Sequence, residues 1–192
     1  MRILFKTNYK QDLNLAKHGG HRFWYGLLIL ILFSAPLILD GYYIGEATRV
    51  LIYAMAGLGL MVVTGFTGQV SLGHAAFLAI GAYTNAWFLA QGFSSFVALP
   101  MAALLSMIGG LLVAIPAARM SGIYLAIATL AFSIIVEDFA GHLNSITGGN
   151  RGMMVDVPML FGYQIWESWE LYLFVLSILV AATLAVLNIL RS

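Results

Sequence analysis

Long apolar runs recur from Phe23 to the end of the chain, most of them close to the length that crosses a bilayer, and nothing else constrains it as strongly. The first, residues 23–39, reaches roughly 25 Å at about 1.5 Å per residue, close to the thickness of a hydrocarbon core. Phe23, Trp24 and Tyr25 mark one end of it, and Tyr42 and Tyr43 lie just beyond the other, the pattern of interfacial aromatic belts. No A-x-A-like cleavage site follows, so the run reads as an uncleaved span. Further runs cover residues 50–66, 75–90, 96–115, 123–136 and 171–190. Charged residues make up only 9% of the sequence, against roughly 25% in soluble domains. So few ionic groups cannot clothe a water-exposed surface, and lipid must solvate most of it. The expectation is an all-α integral membrane protein, a bundle of about six transmembrane helices with a broken or re-entrant segment.

Charge sets the orientation. Arg2, Lys6, Lys10, Lys17 and Arg22 precede or open the first run, opposed only by Asp12. Such a head stays on the cytoplasmic side, which makes residues 1–22 a cytoplasmic basic segment and residues 23–192 one transmembrane region. Six crossings then place Arg119 and Arg191 inside, and Arg49 and Arg151 outside. Nucleic-acid binding is a poor rival, because the head is short and offers only Phe5 and Tyr9 for stacking.

Several chemistries are excluded. There is no cysteine, hence no disulfide, thiolate nucleophile or cysteine-ligated metal. No lysine follows Lys17 and no phosphate-binding loop lies upstream, so any ATP-driven work falls to another chain. His18, His21, His74 and His142 show no zinc spacing. His18 and His21 stand at i, i+3, but the two glycines between them disfavour a helix there. No metal and no cofactor are expected, and the chain is not read as an enzyme.

The link between the second and third runs and the fourth run itself hold the next features of interest. Thr67-Gly68-Gln69-Val70-Ser71-Leu72-Gly73-His74 interrupts hydrophobic sequence at a membrane boundary. Non-helical backbone at membrane depth survives only inside protein or beside a cavity, so a broken or re-entrant segment beside a translocation path is one reading. A cytoplasmic turn with interhelical hydrogen bonds is the other. In the fourth run Ala98, Ala102, Ser106, Gly110, Ala114 and Ala118 recur every four residues, a stripe that lets a neighbouring helix approach closely.

Two outer features follow. Glu137 and Asp138 either mark the end of a span or, with His142, form a proton relay. Ile146-Thr147-Gly148-Gly149-Asn150-Arg151-Gly152 is either an ordinary loop or one whose backbone N–H groups and Arg151 receive a carboxylate.

Three stretches, residues 57–83, 122–132 and 146–152, together resemble the M-type membrane permease of branched-chain amino-acid ABC importers. The T-G-Q-x-S-L-G-H-A-A-F core at residues 67–77 carries most of that resemblance. It implies a transmembrane subunit of an ATP-driven importer in the inner (cytoplasmic) membrane, forming part of the path for aliphatic amino acids or similar small solutes. It further implies a second permease subunit, two ATPase subunits and a periplasmic substrate-binding protein as partners. Gly68, Gln69, Ser71, Gly73 and His74 fall in the family's signature segment, and Thr147, Gly148 and Gly149 in its outer loop. Family permeases continue into further spans and an E-A-A-type coupling loop, so the sequence reads as the N-terminal part of a permease. The alternatives are a secondary proton-coupled transporter using Glu137 and His142, and a non-transporting truncated membrane scaffold.

Overall fold

The computed structural model describes residues 19–155, 157–160 and 162–191. The basic head from Arg2 to Lys17, with His18, and the loop residue Asp156 lie outside the described residues. The elements are α1 (Gly19–Ile38), α2 (Gly41–Met61), a π-helical turn (Val62–Phe66), α3 (His74–Ala90), α4 (Ser95–Ala117) and α5 (Ile123–His142). A short α6 (Asn144–Thr147), a 3-10 turn (Gly149–Arg151), strands β1 (Met159–Leu160) and β2 (Tyr163–Gln164), and α7 (Ser168–Arg191) complete the chain.

The chain is an all-α integral membrane protein. Among the described residues, four apolar helical stretches are long enough to cross a membrane: Gly41–Phe66, Ser95–Ala117, Ile123–His142 and Ser168–Ile189. The six expected runs correspond to the six long helices, but α1 has only a short apolar stretch, Phe23–Ile38, and α3 only 17 residues. Large apolar side chains point outward along these helices, as with Ile115 at 72% exposure, which suits lipid as the surrounding solvent.

Three boundaries differ from expectation. Helix α1 begins at Gly19, so the glycine pair does not keep residues 19–21 out of a helix. Helix α2 begins at Gly41 rather than near Val50, because Glu46 and Arg49 pair on its surface at 3.0 Å and need not end it. Helix α5 runs through Glu137 and Asp138 to His142, since adjacent carboxylates carry no backbone penalty that would stop a helix.

Two compact units divide the chain. Among the described residues, one comprises 19–53 and 168–191. Its core is Ile44, Leu51, Tyr172, Val175 and Leu176, with Leu32, Ala35 and Ala47 packed against them. Pro36 lies inside α1 and lacks the N–H that would bond the Leu32 carbonyl one turn earlier. The Tyr172 hydroxyl of α7 donates to that carbonyl at 2.9 Å, so a helix fault in α1 becomes an interhelical tie.

The second unit, residues 54–167, is built on α3, α4 and α5. Helices α3 and α4 pack closely along the small-residue stripe. Ala98 and Ala102 are buried, and the Ser106 hydroxyl donates to the Phe77 carbonyl at 3.1 Å. The tight glycine is Gly109 rather than Gly110: a methyl group there would lie 3.0 Å from Ile80 Cδ1, against 3.8 Å from Phe77 at Gly110. Ala114 and Ala118, the end of the expected stripe, are exposed. Ser94 caps α4 by accepting from the Phe96 N–H at 3.4 Å, and donates to the Met159 carbonyl at 3.1 Å. That second bond fastens the antiparallel β1–β2 hairpin, paired Met159 with Gln164 and Leu160 with Tyr163, to the α3–α4 turn.

Candidate functional site

Between the π-helical turn and α3 the chain leaves helical geometry altogether. Residues 67–73 are neither helix nor strand, and Gly68 adopts a left-handed φ of 67°. Thr64 and Thr67 bond back to the carbonyls of Leu60 and Val63, which helps close the helix before the break. Gln69 is exposed, Ser71 half-buried, Gly73 buried and His74 half-buried.

The position of this segment is set by α5. Gly73 lies so close to Thr129 that a methyl group on it would stand 2.5 Å from the Thr129 carbonyl oxygen. The adjacent Leu72 N–H donates to Thr129 Oγ1 at 3.0 Å, while that hydroxyl donates to the Ala126 carbonyl at 2.9 Å. Thr129 is the seventh residue of α5, about 9 Å along the axis from its start. The break therefore lies against α5 about two turns in from its start, on a helix long and apolar enough to cross a membrane. Helix α3 begins at that depth, and its brevity follows. Phe77 packs against Phe132 with ring centroids 5.6 Å apart, so α3 and α5 then run side by side in the same direction.

The signature side chains do not hold the break by hydrogen bonds of their own. Neither the Gln69 nor the Ser71 side chain has a hydrogen-bond partner among the described residues. His74 packs instead, on Gly59 of α2, where a methyl would lie 3.3 Å from the imidazole, and edge-on to Phe77 at 6.5 Å. The anchor is Thr129, which sequence reasoning passed over. Its one signal was a hydroxyl inside an apolar run within residues 122–132.

At the other end of α5 the outer loop folds back on the helix. Thr147 is buried; its hydroxyl shares its hydrogen between the carbonyls of Ala140 at 2.6 Å and Leu143 at 2.7 Å. The same oxygen accepts the Gly149 N–H at 3.2 Å. Gly148 and Gly149 are both left-handed, with φ of 74° and 59°. Gly148 lies against Gly152, whose carbonyl would be 2.3 Å from a methyl group at Gly148.

Helix α3, helix α5 and this loop enclose a cleft of about 450 Å³. Ala75, Ala76, Ala79 and Tyr83 line it from α3, Ser133 and Glu137 from α5, and Arg151 from the loop. It thus runs from the first turn of α3 beside the break to the outer loop, joining two of the stretches singled out from sequence. Glu137 and His142, the pair of the alternative proton-relay reading, are not joined among the described residues. His142 Nδ1 lies 2.8 Å from the Asp138 carbonyl and 3.4 Å from its carboxylate, and both side chains are exposed.

The profile of a family described as branched-chain amino acid transport system / permease component matches residues 42–192. The chain is 38% identical over 143 residues to the high-affinity branched-chain amino acid transport system permease protein LivM of Salmonella typhimurium, covering 73% of this chain and 34% of that one. With the LivM protein of Escherichia coli it shares 37% over 139 residues, covering 71% and 33%. The chain thus spans about a third of the length of these relatives. No solved structure matches it.

Proposed function

The chain belongs to the family of branched-chain amino-acid transport system permease components, and we propose that it forms part of the translocation path of an ATP-driven importer. The observation that carries this reading is the non-helical segment 67–73 held against Thr129 at membrane depth, beside a cleft that continues to the outer loop. Irregular backbone within a bilayer is tolerated where it lines a cavity, and broken helices are a recurrent way of building transport sites. Gln69 and Ser71 of the signature segment, with Gly68, Gly73 and His74, belong to the inner part of that path. Thr147, Gly148 and Gly149 shape its outer end.

The substrates proposed are branched-chain amino acids, the class in the names of the related LivM proteins. ATP hydrolysis belongs to two partner subunits, since this chain carries no phosphate-binding loop. A second permease subunit and a periplasmic binding protein complete the assembly in the inner membrane, with the N-terminus cytoplasmic. Alternating access requires only that ATPase closure bind one of two helix arrangements better than the other. Against a proton-coupled carrier stands the pairing of His142 with Asp138 on an exposed helix surface, away from Glu137 on the cleft.

Gln69→Leu tests this reading. The amide offers donors and an acceptor with no internal partner, so its loss removes polar lining without removing a structural bond. ATP-driven leucine uptake into vesicles carrying the assembled transporter is expected to fall, with ATPase association on co-purification unchanged. Uptake at the normal rate would identify the segment as a structural turn only.

A further inference from the structure

The cleft between α3, α5 and the outer loop holds one acidic and one basic side chain. Glu137 lies on α5 five residues before its end, and Arg151 closes the 3-10 turn that follows. Both line the same cavity, yet no ion pair joins them, and neither has another partner among the described residues. An ionisable group within a span calls for a compensating charge from somewhere. Two opposite charges on one cavity that do not neutralise each other leave room for a ligand carrying both.

The remaining wall is apolar and small. Ala75, Ala76 and Ala79 present methyl groups from the first turns of α3, and Tyr83 stands above them on the same helix. A volume of about 450 Å³ lies within the range of roughly 300–1,000 Å³ typical of small-molecule sites.

The geometry points to a site for the zwitterionic head of an α-amino acid, with Glu137 receiving the ammonium group, Arg151 the carboxylate, and the alanine wall the branched side chain. This rests on the reading of the cleft as part of the path and adds the groups that recognise the cargo there. Arg151 suits a carboxylate because its planar fork donates two parallel hydrogen bonds, and Glu137, ionised, is acceptor-only and matches an ammonium. Selectivity follows from the two charges together: a keto acid lacks the cation and an amide lacks the anion, and each leaves one charged side chain unpaired.

The chain has no cysteine, so a single thiol reports on the cleft without background. Ser133→Cys and, independently, Ala79→Cys place it on the lining. Maleimide labelling is followed in membrane vesicles carrying the assembled transporter, with leucine, leucinamide or 4-methyl-2-oxopentanoate present. Leucine is expected to slow labelling while the other two, at the same concentration, do not. Glu137→Gln and Arg151→Gln should each raise the half-protecting leucine concentration about tenfold, the loss of one charge-assisted hydrogen bond. Both side chains are exposed, so these changes leave the packing intact.

Equal protection by all three compounds overturns the proposal, and so does an unchanged leucine concentration in both variants. Labelling blocked by the second permease subunit, whatever the amino acid, also overturns it and makes the cleft a subunit seam. Leucine uptake that persists without leucine protection sinks this site and spares the path. Uptake that does not require this chain sinks both.

Discussion

Gly73→Ala is expected to abolish leucine uptake by the assembled transporter. The added methyl would lie 2.5 Å from the Thr129 carbonyl oxygen, 3.1 Å from its carbon and 3.2 Å from Thr129 Cβ. All three atoms belong to one turn of α5, two of them main chain, so no side-chain rotation relieves the clash. Either α5 moves or the segment does, and overpacking of this kind costs about 1–3 kcal/mol. Movement of the segment also breaks the bond from the Leu72 N–H to Thr129 Oγ1, a further ~0.5–1.5 kcal/mol. Gly57→Ala is the control, because nothing lies within 4 Å of a methyl there. The comparison is made on uptake and on thermal unfolding of the detergent-solubilised protein. Identical behaviour of the two variants would show that α3 does not start against Thr129.

Gly148→Ala should disable the outer loop with comparable severity. Two penalties coincide at this residue. Its φ of 74° is a left-handed conformation that costs an L-residue about 1–2 kcal/mol. The methyl would also meet the Gly152 carbonyl oxygen at 2.3 Å and its carbon at 2.8 Å, both main chain. The turn that the Gly152 N–H closes onto the Gly149 carbonyl at 3.0 Å cannot open without displacing Arg151 between them. Gly152 has the same φ of 74° with an extended ψ of 175°, a region kept almost wholly to glycine, but open space around it, so Gly152→Ala carries a backbone penalty of about 1–3 kcal/mol and no clash. Protease cleavage of the loop and leucine uptake should both rank Gly148→Ala worse than Gly152→Ala, because only the first adds a main-chain clash to its backbone penalty. Equal effects would mean that backbone strain alone matters and that the loop does not fold as described.

What could be read from the sequence was whatever depends on neighbouring residues. Membrane spans declare themselves through local apolarity, and the glycines of residues 65–73 announced a break in the helix because backbone freedom is a property of the residue itself. The outer loop was marked by its glycines in the same way. Depth was not legible. The same polar segment reads as a boundary turn or a re-entrant one until its partner is known, and that partner, Thr129, lies 57 residues away from Leu72. The charge-based boundaries failed for a related reason. Glu46 with Arg49 and Asp138 with His142 satisfy one another on helix surfaces, so charges that looked like helix ends lie within helices. Along α4 the four-residue repeat located the face that meets α3, but which glycine is tight depends on where Ile80 projects, and a stripe of small residues carries no such information.

The path itself is tested most directly by filling it. Ala79→Cys places a thiol on the cleft, and Leu78→Cys places one on the neighbouring exposed position outside it. Leucine uptake by vesicles carrying each assembled transporter is measured before and after treatment with a bulky maleimide. Modification at residue 79 should stop uptake, while modification at residue 78 leaves it unchanged. Undiminished uptake with residue 79 fully modified would contradict the assignment of this cleft to the translocation path.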